Sequence, residues 1–147
     1  MEKIQFDSGL KRYKLGQGVL QFNPNDPNVY ARFLEAVDKL KDLETQLGKQ
    51  AQVLGEDGAA LVQLMQDADK KMKQTLDWVF GSGNDFDAML GGVNLLAVAE
   101  NGERVATNLF AALEPVMVAG AESCAAGRAA QAVRKAQKRR GEQTAEG

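Results

Sequence analysis

The sequence predicts a mainly α-helical protein with a small N-terminal β element, an α+β arrangement in which a helical hairpin forms the core and further helices follow. Three observations carry this. Two long stretches repeat apolar residues at three- and four-residue intervals, the period of one helix face. Strand-like alternation is confined to the first two dozen residues. The clusters of Gly, Pro, Asn and Asp fall between these stretches, where chain reversals are needed.

Residues 3–22 read as a hairpin or small sheet. Ile4 and Phe6 alternate with polar residues, as do Tyr13 and Leu15, and Val19, Leu20 and Phe22 supply a further strand. Asp7-Ser8-Gly9 and Gly16-Gln17-Gly18 provide the turns. Asn23-Pro24-Asn25-Asp26-Pro27-Asn28 then stops the β pattern, with Asp26 or Asn28 as N-cap and Pro27 suited to a first helical turn. A helix is expected over about 27–50, with Val29, Phe33, Val37, Leu40, Leu43 and Leu47 on one face. Gly48 and Gly55-Glu56-Asp57-Gly58 interrupt it.

A second helix is expected over 57–80, striped by Leu61, Met65, Ala68, Met72, Leu76 and Val79. Asp67 with Lys71 and Asp69 with Lys73 make i,i+4 pairs on its solvent side. Phe86 to Leu96 reads as short helical turns broken by Gly91-Gly92. After the Asn101-Gly102 turn a helix spans about 103–116, which Pro115 should kink or end. The Ala-, Gln-, Lys- and Arg-rich remainder favours helix, with a frayed end. This gives one globular domain over 1–126 and a basic tail, helical or disordered, over 127–147.

Composition narrows function. The 147 residues include no histidine and a single cysteine, Cys124. Histidine is the usual base near neutral pH and the commonest metal ligand, so a non-enzymatic protein with no catalytic residue, no cofactor and no metal is expected. Cys124 lacks an activating partner and cannot form a disulfide within the chain, which fits a reducing cytoplasm. The longest apolar runs are about five residues, as at Leu95–Ala99, against about twenty for a bilayer span. A soluble protein with no membrane association is expected.

The formal charge of −2 is unevenly spread. Residues 1–122 hold 12 Lys+Arg against 18 Asp+Glu, net −6, while residues 123–147 are net +4. An acidic body with a basic tail is a statement about partners. The tail has no aromatic residue for base stacking, and the acidic body repels a polyanion, so protein partners are favoured over nucleic acid. Partner-binding candidates are Phe33, Val37, Leu40, Met65 and Met72 on the two stripes and Arg134, Lys135, Lys138, Arg139 and Arg140 in the tail.

Other motifs have simpler explanations. Gly16-Gln17-Gly18 and Gly81-Ser82-Gly83 lack the third glycine and the Lys-Ser/Thr of a phosphate loop. Asp85 and Asp87 lack the further oxygen ligands of a calcium loop and suit a helix N-terminus.

At Phe22-Asn23-Pro24-Asn25-Asp26-Pro27, and again from Trp78-Val79-Phe80-Gly81 to Gly91-Gly92-Val93-Asn94, the sequence resembles a family of small bacteriophage proteins, the tail assembly chaperones of long-tailed phages and prophages. The likeness spans roughly residues 4–118. Asp85-Phe86-Asp87 departs from it, standing where many members carry Cys-Asp. The resemblance implies no catalytic residue. It implies binding of the tape-measure protein or the tail-tube protein in the host cytoplasm, with homo-oligomerisation suggested by the open edges of the hairpin. Two other classes fit the same composition: a tail-completion or connector protein of the virion, and a nucleic-acid-binding protein acting through the tail.

Overall fold

The computed structural model describes residues 1–146, with side chains described for all of these except 128–131 and 140–146. The chain is mainly helical with one small sheet, as the sequence predicts. β1 (Lys11–Leu15) and β2 (Gly18–Phe22) form an antiparallel hairpin; α1 (Pro27–Leu54), α2 (Gly58–Phe80), the single-turn α3 (Phe86–Met89) and α4 (Val105–Glu146) follow.

The hairpin closes through Gly16-Gln17, with Gly16 at φ 56°. A side chain at Gly16 would collide with the carbonyl oxygen of Met89, which accepts a hydrogen bond from the Gln17 N–H at 2.8 Å. The turn is thus seated on the end of α3. Residues 1–10 are not a strand, contrary to the alternation of Ile4 and Phe6: both side chains are solvent-exposed, at 92% and 81%. Alternation makes a strand only where a neighbouring backbone supplies hydrogen bonds, and among the described residues none does so for residues 1–7.

Asp26 caps α1, its carboxylate accepting from the Asn28 N–H at 2.9 Å, with Pro27 in the first turn. The helix passes through Gly48 and ends at Gly55, four residues later than the sequence predicts. A single glycine costs a helix only about 1 kcal/mol, less than the surrounding turns supply. Asp57 caps α2 through the Ala60 N–H. The two helices pack into the expected hairpin, burying Val29, Phe33, Ala36 and Leu40 against Ala68, Met72, Leu76 and Val79. Aromatic rings tie this layer to the sheet: Tyr13 stacks on Phe22 at 5.2 Å, Phe22 meets Phe80 edge-on at 4.8 Å, and Phe80 meets Phe86 at 5.5 Å.

The third layer is α4, which runs back along α1. Ala106 and Thr107 lie near Lys41 and Glu44, and Gly120 lies against Pro24. A Cβ at Gly120 would sit 1.9 Å from the Pro24 oxygen, so only glycine permits this approach. Pro115 does not end the helix, which continues unbroken to Glu146. Proline inside a helix costs roughly 3 kcal/mol; here Leu113 and Met117, both buried, anchor the turns on either side of it. Among the described residues α4 is also the one helix long and apolar enough, by length and composition, to cross a membrane, although no uninterrupted apolar run reaches that length. Its Ala106, Leu109, Leu113 and Met117 belong to the core described above.

Candidate functional site

Between α1 and the first half of α4 lies a groove of about 530 Å³. Phe33, Leu40 and Met72 form its floor, Tyr30, Leu34 and Val37 one wall, and Ala106, Phe110 and Val118 the other. Leu34 and Val118 are solvent-exposed at 49% and 39%, although both are large and apolar. Phe110 is only half-buried, its ring 5.8 Å from that of Phe33. Lys41, Glu44 and Glu114 stand along the rim. An apolar trough with a mixed-charge rim, flanked by two helices, suits the apolar face of a third helix. A smaller cavity of about 440 Å³ lies where Pro24, Pro27 and Tyr30 face Gly120 and Cys124; the Cys124 thiol is half-buried there.

The segment from Val79 to Asn94, which carries half of the family resemblance, is tied into the body by side chains. Asn84 is buried, and its carbonyl oxygen accepts from the Gln21 N–H at 2.9 Å. Its amide donates to the Gln21 carbonyl at 2.9 Å and reaches those of Phe80 and Gly81. Asp77 accepts the Phe86 N–H at 2.9 Å. Burial raises the Asp77 carboxyl above its usual range and the charges of Asp85 and Asp87 add to this, while the Phe86 hydrogen bond opposes it.

Lys73 is 5% exposed and holds the same segment from α2. Its ammonium donates to Asp69 at 2.9 Å and to Asp87 at 2.5 Å. The other Asp69 oxygen accepts the Leu95 N–H at 2.8 Å. Burial alone would lower the Lys73 pKa, but the hydrogen bonds and charges of Asp87 and Asp69 outweigh it and hold the group above 10.5. The Asp69–Lys73 pair therefore lies inside the fold and not on the solvent side of α2. Of the two aspartates that invited a helix-cap reading, Asp85 caps α3 through the Ala88 N–H, whereas Asp87 also forms the second ion pair to Lys73. Among the described residues no three His, Cys, Asp or Glu side chains converge on a point where they could hold a metal ion.

The ten partner-binding candidates fall into three groups. Phe33, Leu40 and Met72 are buried at 7% exposure or less, so they are core residues that meet a ligand only as the floor of the groove. Val37 is half-buried in the groove wall, and Met65 is half-buried farther along α2, outside it. Arg134, Lys135, Lys138 and Arg139 are exposed on the distal part of α4, remote from the groove in sequence and at i, i+1, i+4 and i+5 spacing on one helical side. Arg140 lies outside the residues whose side chains are described.

Sequence reasoning missed Tyr30, Leu34, Phe110 and Val118. Leu34 falls outside the α1 stripe, which marks that helix's buried face, and the half-buried Phe110 and exposed Val118 flank the buried α4 residues Ala106, Leu109, Leu113 and Met117. No family model, no curated protein and no solved structure matches the chain.

Proposed function

We propose that the protein is a chaperone of bacteriophage tail assembly that binds a helical segment of the tape-measure protein, the tail-tube protein or both in the host cytoplasm. One observation carries the reading: the groove between α1 and α4 exposes Leu34, Val118 and part of Phe110 on a floor that is already core. Exposed apolar surface arranged as a trough is a place for an apolar partner. The resemblance at residues 22–27 and 78–94 contributes the identity of the client. The residues carrying it hold the protein together, as Gly120 against Pro24 and Asn84 against Gln21 illustrate, and leave the groove walls to make contact.

In this reading the groove covers an apolar stripe on a client helix until the tail tube closes around the client. Lys41 and Glu44 on the α1 side and Glu114 on the α4 side set the direction in which a charged helix settles. The test is co-expression with the tape-measure protein and, separately, the tail-tube protein of the same phage. A chaperone keeps at least one of them soluble, copurifies with it, and is missing from finished particles. A protein that stays in purified virions would instead be a tail-completion or connector component.

A further inference from the structure

The two edges of the hairpin differ, and the register shows which outward backbone groups are engaged. A two-residue turn makes Leu15 and Gly18 a hydrogen-bonded pair, so pairing alternates and Arg12 opposite Gln21 is a pair whose backbone groups point away from each other. On the β2 side the outward N–H and C=O of Gln21 are both taken by Asn84, while those of Val19 have no hydrogen-bond partner among the described residues. On the β1 side the equivalent groups of Arg12 and Lys14 have no hydrogen-bond partner among the described residues. The inner face of this edge is also incomplete, since Tyr13 and Leu15 are only half-buried.

The chain carries a segment that fits the vacant edge. Residues 3–7 alternate Lys-Ile-Gln-Phe-Asp, with Ile4 and Phe6 almost fully exposed. We infer that residues 3–7 of one copy add as a third, antiparallel strand to the outer edge of β1 in a second copy, reciprocally, giving a closed two-fold dimer. With Phe6 opposite Tyr13 and Ile4 opposite Leu15, both arm side chains fall on the inner face and extend its apolar surface. Asp7 then lies opposite Arg12 on the outer face, an opposite-charge pair. Gln5 and Asp7 meet the outward backbone groups of Lys14 and Arg12.

The arm does not reach this edge within its own chain because its base is anchored elsewhere. The Ser8 carbonyl accepts from the Asn23 amide at 3.0 Å, and Asp7 accepts the Gly9 N–H at 2.8 Å. Gly9 has φ 74°, and a Cβ there would strike the Asn23 side chain. Residues 8 and 9 are thus held beside Asn23, just past the end of β2, and the arm makes no backbone hydrogen bond to its own β1. A two-fold exchange fills the outer β1 edge of both copies and leaves on the β2 side only the Val19 groups, next to the position that Asn84 occupies.

The experiment is the molar mass of the full chain by light scattering and sedimentation, beside Ile4→Glu/Phe6→Glu and Lys14→Pro variants. Proline at 14 removes only an outward-facing N–H, a position edge strands tolerate. We expect a dimer for the native chain and monomers for both variants, with unchanged circular dichroism and with the amides of Gln5 and Asp7, the two that face β1, losing hydrogen-exchange protection. A monomeric native chain, a dimer unaffected by the arm substitutions, or protected arm amides in a monomer would each overturn the inference; the last would mean the arm folds back on its own hairpin.

Discussion

Asn84 meets Gln21 as a neighbouring strand would, accepting its N–H and donating to its C=O through one side-chain amide. This satisfies one outward position of β2 in a two-stranded sheet that would be marginal alone, and it joins the hairpin to the segment after α2. Asn84→Ala leaves the part-buried Gln21 and Gly81 groups and the buried Phe80 carbonyl short of partners, which costs about 2 kcal/mol. Asn84→Asp loses every donor and should be at least as damaging. Urea unfolding of the two variants measures this, and a loss under about 0.5 kcal/mol for both would show that water replaces the amide.

The ion pairs on Lys73 give a stability that depends on pH in the alkaline range. A lysine whose folded pKa is raised contributes fully below its unfolded value of 10.5 and loses that contribution as pH climbs through the higher folded value. The native protein should therefore weaken above about pH 10.5, in a step absent from Lys73→Met. At neutral pH that substitution leaves Asp69 nearly buried without its cation and costs about 3 kcal/mol. Asp87→Asn should cost less, since Asp87 is 63% exposed. Thermal melts across the alkaline range separate these outcomes.

Much of this architecture is visible in the sequence because it follows from local rules. The stripes from Val29 to Leu47 and from Leu61 to Val79 locate the helical hairpin, and the Asp26 and Asp57 caps mark its helix starts. The failures are cases where a distant partner decides. Ile4 and Phe6 alternate like a strand but have no neighbour. Pro115 has the local signature of a helix end, yet Leu113 and Met117 are held by the core on both sides of it. Asp87 reads as a helix-start residue because Lys73, its partner, lies on another helix. The groove was least legible of all: Leu34 and Phe110 become neighbours only when α4 folds back along α1.

The basic end of α4 is accessory in this account. Truncation after Ala126 removes Arg134, Lys135, Lys138 and Arg139, all exposed, and leaves the helix up to its contact with Pro24 intact. The shortened protein should keep its cooperative unfolding transition and its protein client. Full-length protein should bind duplex DNA weakly near physiological salt, with an affinity that falls steeply as salt rises. Tight DNA binding that disappears on truncation, with no loss of client binding from changes in the groove, would point to the nucleic-acid reading.

Core and groove residues should separate cleanly. Met72 is 2% exposed beneath the groove, so Met72→Ala is expected to lower stability by about 2–5 kcal/mol. Leu34 and Val118 face solvent, and Leu34→Glu/Val118→Glu should leave unfolding within about 1 kcal/mol of native.

The most direct test is the affinity of that double variant for whichever protein the native chain retains in the co-expression experiment, measured by calorimetry beside the native chain. The account predicts that a folded, equally stable Leu34→Glu/Val118→Glu protein loses binding by a factor of one hundred or more, about 2.7 kcal/mol. Native affinity in that variant would contradict it, and would place the client on another surface.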